Sequence, residues 1–194
     1  MQECFCKSNT TEFMSWFVQL IAPVLTGAKP AEILSFPNDE KHNARLEGIK
    51  SCIKLNSKLT FIEFSFCSKC TKLLIYNPIV LDETLKDKRN IRFLTEKGYP
   101  KVYTIDVYIN ELMGKMKKGT IPDEIGIFLG YPLKDVIGFI GHTSLKLTKV
   151  NGWRVYGDPR LSDQKHSDFN KAKEYIKELL VHNSPSNILE LGYL

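Results

Sequence analysis

The chain has 194 residues, of which 43% are hydrophobic and 25% are charged, and its formal net charge is +5. A chain of this length buries roughly 70% of its unfolded surface on folding, so we expect one domain over residues 1–194 rather than a disordered chain. The mildly basic balance permits weak attraction to nucleic acid but does not require it.

The apolar stretches and the cysteines indicate the compartment. Polar residues such as Gln19, Lys29 and Lys134 interrupt the apolar stretches well before the roughly 20 residues that a membrane span needs. The first residues show no basic leader followed by a cleavage site. Five cysteines are too sparse, and odd in number, for a disulfide-stabilised secreted domain. We therefore expect a cytoplasmic protein with no membrane partner.

The first half of the chain alternates between helical and strand patterns. Residues 11–21 carry apolar side chains at helical spacing, which predicts an amphipathic helix that ends at Pro23. A short strand over 31–36 and a helix over 39–55 follow. The clearest strand, 59–66, is rich in aromatic and β-branched residues and precedes a second strand over 71–77. These two strands predict an antiparallel hairpin over about 59–77.

The second half is predicted to be mostly helical. In chain order, its elements are helices over 81–97 and 104–119, a short buried strand over 125–129, a helix over 133–140, a strand over 153–156 and a helix over 162–181. The tail after Asn183 is expected to be docked or frayed, and we expect flexibility at residues 1–10 and 183–194. These elements predict an α/β (α+β-like) domain, with a small mixed sheet packed by amphipathic helices.

The segment from Pro122 to Gly141 is unusual, because its 20 residues contain four glycines and two prolines. This composition predicts a tight reversal of the backbone at the Gly-Tyr-Pro turn around Tyr131. Glu124 and Asp135 flank the turn and would form an acid/base pair if the backbone brings them together, with pKa values separated by burial. Alternatively, Glu124 interacts with the positive end of a helix dipole and Asp135 lies on the solvent side of its helix.

The segment NGWRVYGD, residues 151–158, combines aromatic and charged residues in one predicted strand. Strand alternation places Trp153 and Val155 on a core face and places Arg154 and Tyr156 on the other face. That second face would bind an anionic or planar ligand, or would form a surface ladder in which Asp158 caps the next turn. The candidate ligand-binding residues are Glu124, Tyr131, Asp135, Arg154, Tyr156 and Asp158.

Cys67 and Cys70 form the most conventional motif in the chain, because two thiolates at C-x-x-C spacing bind a soft metal or cycle as a dithiol. A structural zinc site needs four ligands, and nothing requires Cys4 and Cys6 to join this pair. The motif also falls in the predicted hairpin turn rather than at a helix N-terminus. We therefore predict no bound metal and no cofactor, with dithiol cycling left open.

A basic band follows the hairpin and consists of Lys86, Lys88, Arg89, Arg92, Lys97 and Lys101. Aromatic residues lie near it, a composition that also occurs on surfaces that bind single-stranded nucleic acid. Acidic residues are interspersed with the basic ones, however, which is typical of a solvated helix face. We expect nucleic-acid binding to be weak and nonspecific.

Three sequence blocks carry a resemblance. LIAPVLTGAKPAEILSF, EIGIFLGYPLKDVIGFI and GWRVYGD occur in this order over most of the chain. Together they resemble a family of uncharacterised bacterial proteins, common in anaerobic Gram-positive bacteria and known only as a domain of unknown function. Many members carry a His-Cys pair where this chain has Leu20 and Ile21. The resemblance implies a small cytoplasmic bacterial protein and supplies no activity, cofactor or catalytic residue.

The sequence favours a small-ligand-binding or accessory protein, whose partner is an unidentified small molecule or protein. One alternative is an enzyme that uses Glu124, Asp135 and Arg154 near the Gly-Tyr-Pro turn. A weaker alternative is nonspecific nucleic-acid binding through the basic band of residues 86–101. Three surface features would distinguish these functions. An enclosed polar cleft would indicate a ligand-binding protein or an enzyme, and a continuous positive face would indicate a nucleic-acid-binding protein. An exposed apolar patch would indicate a protein-interaction surface.

Overall fold

Two antiparallel sheets lie among the helices in the computed structural model, which describes residues 10–116, 120–141 and 144–191. The strands are β1 Ala31–Pro37, β2 Thr60–Cys67, β3 Cys70–Tyr76, β4 Leu147–Asn151 and β5 Trp153–Tyr156. The larger sheet has the order β1-β3-β2, and the smaller one pairs β4 with β5. The predicted α/β class and the β2–β3 hairpin are confirmed, and the described strand pairs are all antiparallel.

The described helices cover the larger sheet on both faces, and one of them, Leu133–Phe139, packs on strand β5 of the smaller one. They are α1 Thr10–Leu20, α2 Ala22–Leu25, α3 Glu40–Leu55, α4 Pro78–Leu85, α5 Lys88–Glu96, α6 Ile105–Met116, α7 Ile125–Phe128, α8 Leu133–Phe139, α9 Arg160–Leu179 and α10 Pro185–Leu191. Most coincide with predicted helices.

The three-stranded sheet separates two hydrophobic cores. Along β3, Leu73 and Ile75 pack into the core that contains α1, α3 and α10, whereas Leu74 packs into the core that contains α4, α6 and α7. Successive side chains of a strand point to opposite faces, so an unbroken apolar run suits a strand that is covered on both sides. The larger sheet is therefore the middle layer of a helix–sheet–helix arrangement.

Several predicted boundaries need correction. Residues 125–129 were predicted to be a strand, but residues 125–128 form the single-turn helix α7, because a five-residue apolar run does not distinguish a buried strand from a buried helical turn. The first helix ends at Leu20, shortly before Pro23, as predicted, but Pro23 also lies in the first turn of a second short helix, α2, where a proline is tolerated. The helix predicted over 81–97 is two helices, with Asp87 capping the second one.

Further predictions concern residues at the limits of the described ranges. The helix over 104–119 is confirmed as α6 through Met116, and its predicted end at Gly119 lies outside the described residues. In α10, Ile188 and Leu189 are fully buried in the first core, which agrees with a docked tail. The predicted flexibility of residues 1–9 and 192–194 concerns residues outside the described ranges.

Candidate functional site

The Gly-Tyr-Pro turn links α7 to α8 through a backbone that only glycine adopts readily. Gly130 has a φ of +78°, and a Cβ atom there would lie 2.5 Å from Cδ of Pro30. The Tyr131 amide donates a hydrogen bond of 2.8 Å to the carbonyl of Gly126, and Pro132 precedes the first residue of α8. The turn therefore fixes both the side chain of Tyr131 and the start of α8.

Asp135 in α8 is buried and is fully hydrogen-bonded. Only 2% of the residue is exposed. One carboxylate oxygen accepts hydrogen bonds from Nζ of Lys134 at 2.6 Å and from the amide of Tyr156 at 2.8 Å. The other accepts from Nε1 of Trp153 at 2.8 Å and from Oγ of Ser162 at 2.6 Å. Asp135 therefore joins α8 to β5 and α9.

This environment overturns the interpretation of Asp135 as a solvent-facing residue. Burial alone would raise the pKa of Asp135, but hydrogen bonds from Lys134, Ser162 and the Tyr156 amide, together with the Trp153 indole, lower it below its ordinary value. A carboxylate with this pKa stays ionised at neutral pH. Each of the two carboxylate oxygens already accepts two hydrogen bonds from the protein.

Glu124 has a separate set of partners. The residue is 6% exposed, precedes α7, and forms an ion pair of 2.7 Å with Nζ of Lys115. The same ammonium lies 4.3 Å from the ring centroid of Tyr99. Burial raises the pKa of Tyr99, and the neighbouring Glu124 carboxylate raises it further. The buried Tyr99 hydroxyl forms no hydrogen bond of good geometry with the described residues. Glu124 and Asp135 therefore have no hydrogen-bond partner in common among the described residues.

A cleft of about 550 Å³ lies between α8 and the β4–β5 hairpin. Tyr131 and Trp153 form part of its wall, with ring centroids 4.8 Å apart and planes inclined by 19°. Ile121, Phe139 and Val150 contribute exposed apolar side chains, and Phe139 and Val150 are 48% and 69% exposed. The cleft is thus a largely apolar concavity with a stacked aromatic pair.

Tyr131 is held in place from the side of β1. The ammonium of Lys29 lies 5.4 Å from the Tyr131 ring centroid and forms an ion pair of 2.7 Å with Glu32. Burial, followed by the charge of Glu32, raises the pKa of Tyr131 to about 12. Tyr131 is therefore neutral at physiological pH and presents an aromatic surface to the cleft.

Arg154 and Asp123 supply two further charges to the cleft lining. Both side chains are exposed. The Arg154 guanidinium lies 5.6 Å from the ring centroid of Phe139, and neither residue forms an ion pair with any part of the chain that the structure describes. A guanidinium that is not paired with a carboxylate remains able to bind an anionic group.

The remaining candidate residues lie away from this arrangement. Tyr156 is buried, and its side chain packs against Gly138 of α8, next to the Phe139 ring that Arg154 contacts. Arg154 and Tyr156 thus both meet α8, but α8 buries Tyr156 and leaves Arg154 exposed. Asp158 is exposed, binds the guanidinium of Arg160 and accepts a hydrogen bond of 3.0 Å from the Arg160 amide. It therefore caps the turn before α9, as one of the two interpretations of the sequence held.

Sequence reasoning missed the residues that β4 brings to the cleft. Val150 pairs with Arg154 in the register of the hairpin, so both side chains lie on one face. Four of the five residues in β4 are exposed, and the strand shows no alternation of apolar and polar burial. Asp123 and Phe139 carried no local signal either, because the cleft forms only when α8 packs on β5.

The cysteine motif lies in the β2–β3 hairpin, where Cys67 pairs with Cys70 in the register. No group of three or more potential metal ligands occurs within residues 10–116, 120–141 and 144–191. Cys4 and Cys6 lie outside these ranges. The absence of a bound metal therefore stays a prediction.

Comparisons with known proteins place the chain in a family. None of the described helices is long and apolar enough to cross a bilayer. Neither the curated proteins nor the solved structures contain a match to this chain. A family model described as "Protein of unknown function (DUF3793)" matches residues 17–189, which include the three-stranded sheet, α8 and the β4–β5 hairpin. The chain therefore belongs to the DUF3793 family.

Proposed function

We propose that this protein is a cytoplasmic small-ligand-binding protein and that its ligand occupies the cleft between α8 and the β4–β5 hairpin. The observation that carries this proposal is the exposed guanidinium of Arg154 on the wall of an apolar cleft, without an ion pair to any described residue. Ligand sites are commonly concavities of about 300–1,000 Å³ with apolar walls and a few polar groups. The cleft, at about 550 Å³, has these properties, and it differs from the polar cleft expected of a ligand site from the sequence in being largely apolar.

The hydrogen bonds and ion pairs of Asp135 and Glu124 favour ligand binding over acid/base catalysis by these two carboxylates. A general base needs a free lone pair within reach of the substrate. Asp135 lines the cleft, but its oxygens accept four hydrogen bonds from the protein. Glu124 is paired with Lys115 and is not part of the cleft lining. The two carboxylates that the enzyme alternative assigns, Glu124 and Asp135, are therefore not available as a base in the cleft.

The basic band supports nucleic-acid binding poorly. Lys86 pairs with Asp82, Arg89 with Asp87, and Arg92 with Glu96, all on exposed helix faces. Each pair neutralises a charge that a phosphate would otherwise attract, so the band lacks the continuous positive face that tight binding requires. Weak and salt-sensitive binding remains our expectation for nucleic acid.

A thermal-shift panel of small anions and metabolites tests the proposal. A compound present at about a hundred times its Kd adds about 2.7 kcal/mol to the free energy of unfolding, which raises the Tm by several degrees. We expect Arg154→Gln to leave the Tm of the free protein unchanged, since this side chain is exposed, and to reduce the shift of the active compound. Phe139→Ala should also reduce this shift, because it removes apolar wall area.

Two controls address effects unrelated to the cleft. Arg45→Gln removes a half-buried arginine whose guanidinium lies 4.5 Å from the Phe13 ring centroid, so it loses a comparable contact outside the cleft. Val102→Ala removes an exposed apolar side chain elsewhere. Neither control should change the shift. If no compound raises the Tm of the wild type, or if the shift survives both cleft variants, the proposal is wrong.

A further inference from the structure

We infer that the ligand of the cleft is a zwitterion with an apolar body, of which an α-amino acid with an aromatic or large aliphatic side chain is the simplest form. This inference rests on the proposed function and adds the chemical class of the ligand. It comes from the charges of the lining residues, which are opposite in sign and are not paired with each other.

Three charged residues line the cleft: Asp123, Asp135 and Arg154. Asp135 is already neutralised and hydrogen-bonded, since Lys134 lies 2.6 Å from it and three further groups donate to it. Asp123 and Arg154 form no ion pair with each other or with another described residue. The cleft therefore offers one cationic and one anionic group that are both available to a ligand.

Opposite charges on an apolar wall favour a ligand that pairs with both. A ligand carboxylate would accept two parallel hydrogen bonds from the guanidinium of Arg154, and a ligand ammonium would pair with the carboxylate of Asp123. A ligand with only one charge would pair with Arg154 or with Asp123, but not with both. It would cover the remaining charged group without giving it a partner, which is unfavourable. The apolar body would then replace water over Ile121, Phe139 and Val150.

The test uses the two tryptophan indole N–H signals in the NMR spectrum of the 15N-labelled full chain. The Trp153 indole donates to Asp135 on the cleft wall, whereas Trp16 lies in α1, outside the cleft, and serves as an internal control. The probes are L-phenylalanine, N-acetylphenylalanine, phenylalaninamide and N-acetylphenylalaninamide. These four compounds share one apolar body and carry both charges, only the anion, only the cation, or neither.

We expect L-phenylalanine to shift the Trp153 signal, to leave the Trp16 signal in place, and to bind at least about tenfold more tightly than each of the other three. That ratio corresponds to one charge-assisted hydrogen bond. Arg154→Gln should abolish the preference for a free carboxylate and leave the preference for a free ammonium. Asp123→Asn should have the converse effect, and Arg45→Gln should alter neither.

The possible failures are distinguishable. If all four compounds shift the Trp153 signal with equal affinity, the cleft binds only the apolar body; the zwitterion inference is then wrong and the proposed function stands. If none shifts it, the inference is also wrong, and the thermal-shift panel decides the proposed function separately. If the preferences exist but survive Arg154→Gln and Asp123→Asn, the charges that we assign are not the ones that recognise the ligand.

Discussion

Asp135 is a carboxylate that the fold buries without leaving any lone pair free. Its oxygens accept from Lys134, Trp153, Tyr156 and Ser162, which belong to α8, β5 and α9. Burying a charge costs several kcal/mol unless hydrogen bonds and an opposite charge compensate for it. The network provides both, and it fixes the Trp153 indole that forms part of the cleft wall.

We predict that Asp135→Asn lowers the free energy of unfolding by about 3 kcal/mol, because an amide cannot accept at both ends and leaves buried donors without a partner. Chemical denaturation measures this loss. Asp158→Asn is the matched control, since Asp158 is exposed and its pair with Arg160 contributes little. Equal losses in the two variants would contradict the role that we assign to Asp135.

The pH dependence of this difference has a defined sign. The folded-state pKa of Asp135 is lowered, so the unfolded chain takes up the proton more readily than the folded one. The stabilisation is therefore fully present above the ordinary carboxyl pKa of 3.8 and is lost as the pH falls through the lower folded value. The difference between wild type and Asp135→Asn should be constant near neutral pH and should decrease below about pH 4.

The sequence alone could not identify this network. The partners of Asp135 on β5 and α9 follow it by 18 to 27 residues, and a local pattern does not predict which distant donors a carboxylate meets. The tight reversal at the Gly-Tyr-Pro turn was more accessible, because glycine and proline themselves indicate a turn. The reversal is confirmed, and Gly130 makes it with a φ of +78°.

Helix α8 can pack on strand β5 because Gly138 leaves room for the Tyr156 side chain. A methyl group at Gly138 would lie 2.6 Å from Cβ of Tyr156. Gly114 in α6 is also a helical glycine, but it is exposed, and a methyl group there would meet nothing within 4 Å. The two glycines therefore differ in packing while sharing the same secondary structure.

We predict opposite effects of one substitution at these two sites. Gly138→Ala should lower the free energy of unfolding by about 1–3 kcal/mol, because the added methyl forces α8 away from β5. Gly114→Ala should raise it by about 0.5–1 kcal/mol, because alanine favours a helix. Denaturant titrations of both variants measure the effects. Stabilisation by Gly138→Ala would show that α8 and β5 tolerate a wider separation than the structure has.

At the level of elements, periodicity predicted the long helices and the buried sheet but not the short elements. Strands β1, β2 and β3 are apolar on faces that the two cores cover, so their sequences carry the strand signal. Strand β4 is exposed and gains its structure from pairing with β5. The cleft depends on β4 and α7, the two elements whose sequences were least informative.

In the whole molecule, the two cores and the cleft have separate roles. The larger sheet and its helices bury most of the apolar side chains. Val155 and Tyr156 of β5 are buried but belong to neither core, and the β4–β5 hairpin forms one wall of the cleft with α8. The stable layers therefore position a peripheral hairpin whose exposed apolar and charged side chains face a common concavity.

A crystal structure of the protein with the most strongly stabilising compound of the thermal-shift panel tests the central claim most directly. The account predicts that the compound lies between Phe139 and the Tyr131–Trp153 pair, with an anionic group within hydrogen-bonding distance of the Arg154 guanidinium. Asp135 should retain its four hydrogen bonds in the complex. A compound bound elsewhere on the molecule, or one in the cleft that displaces Asp135 from Trp153 and Ser162, would contradict the account.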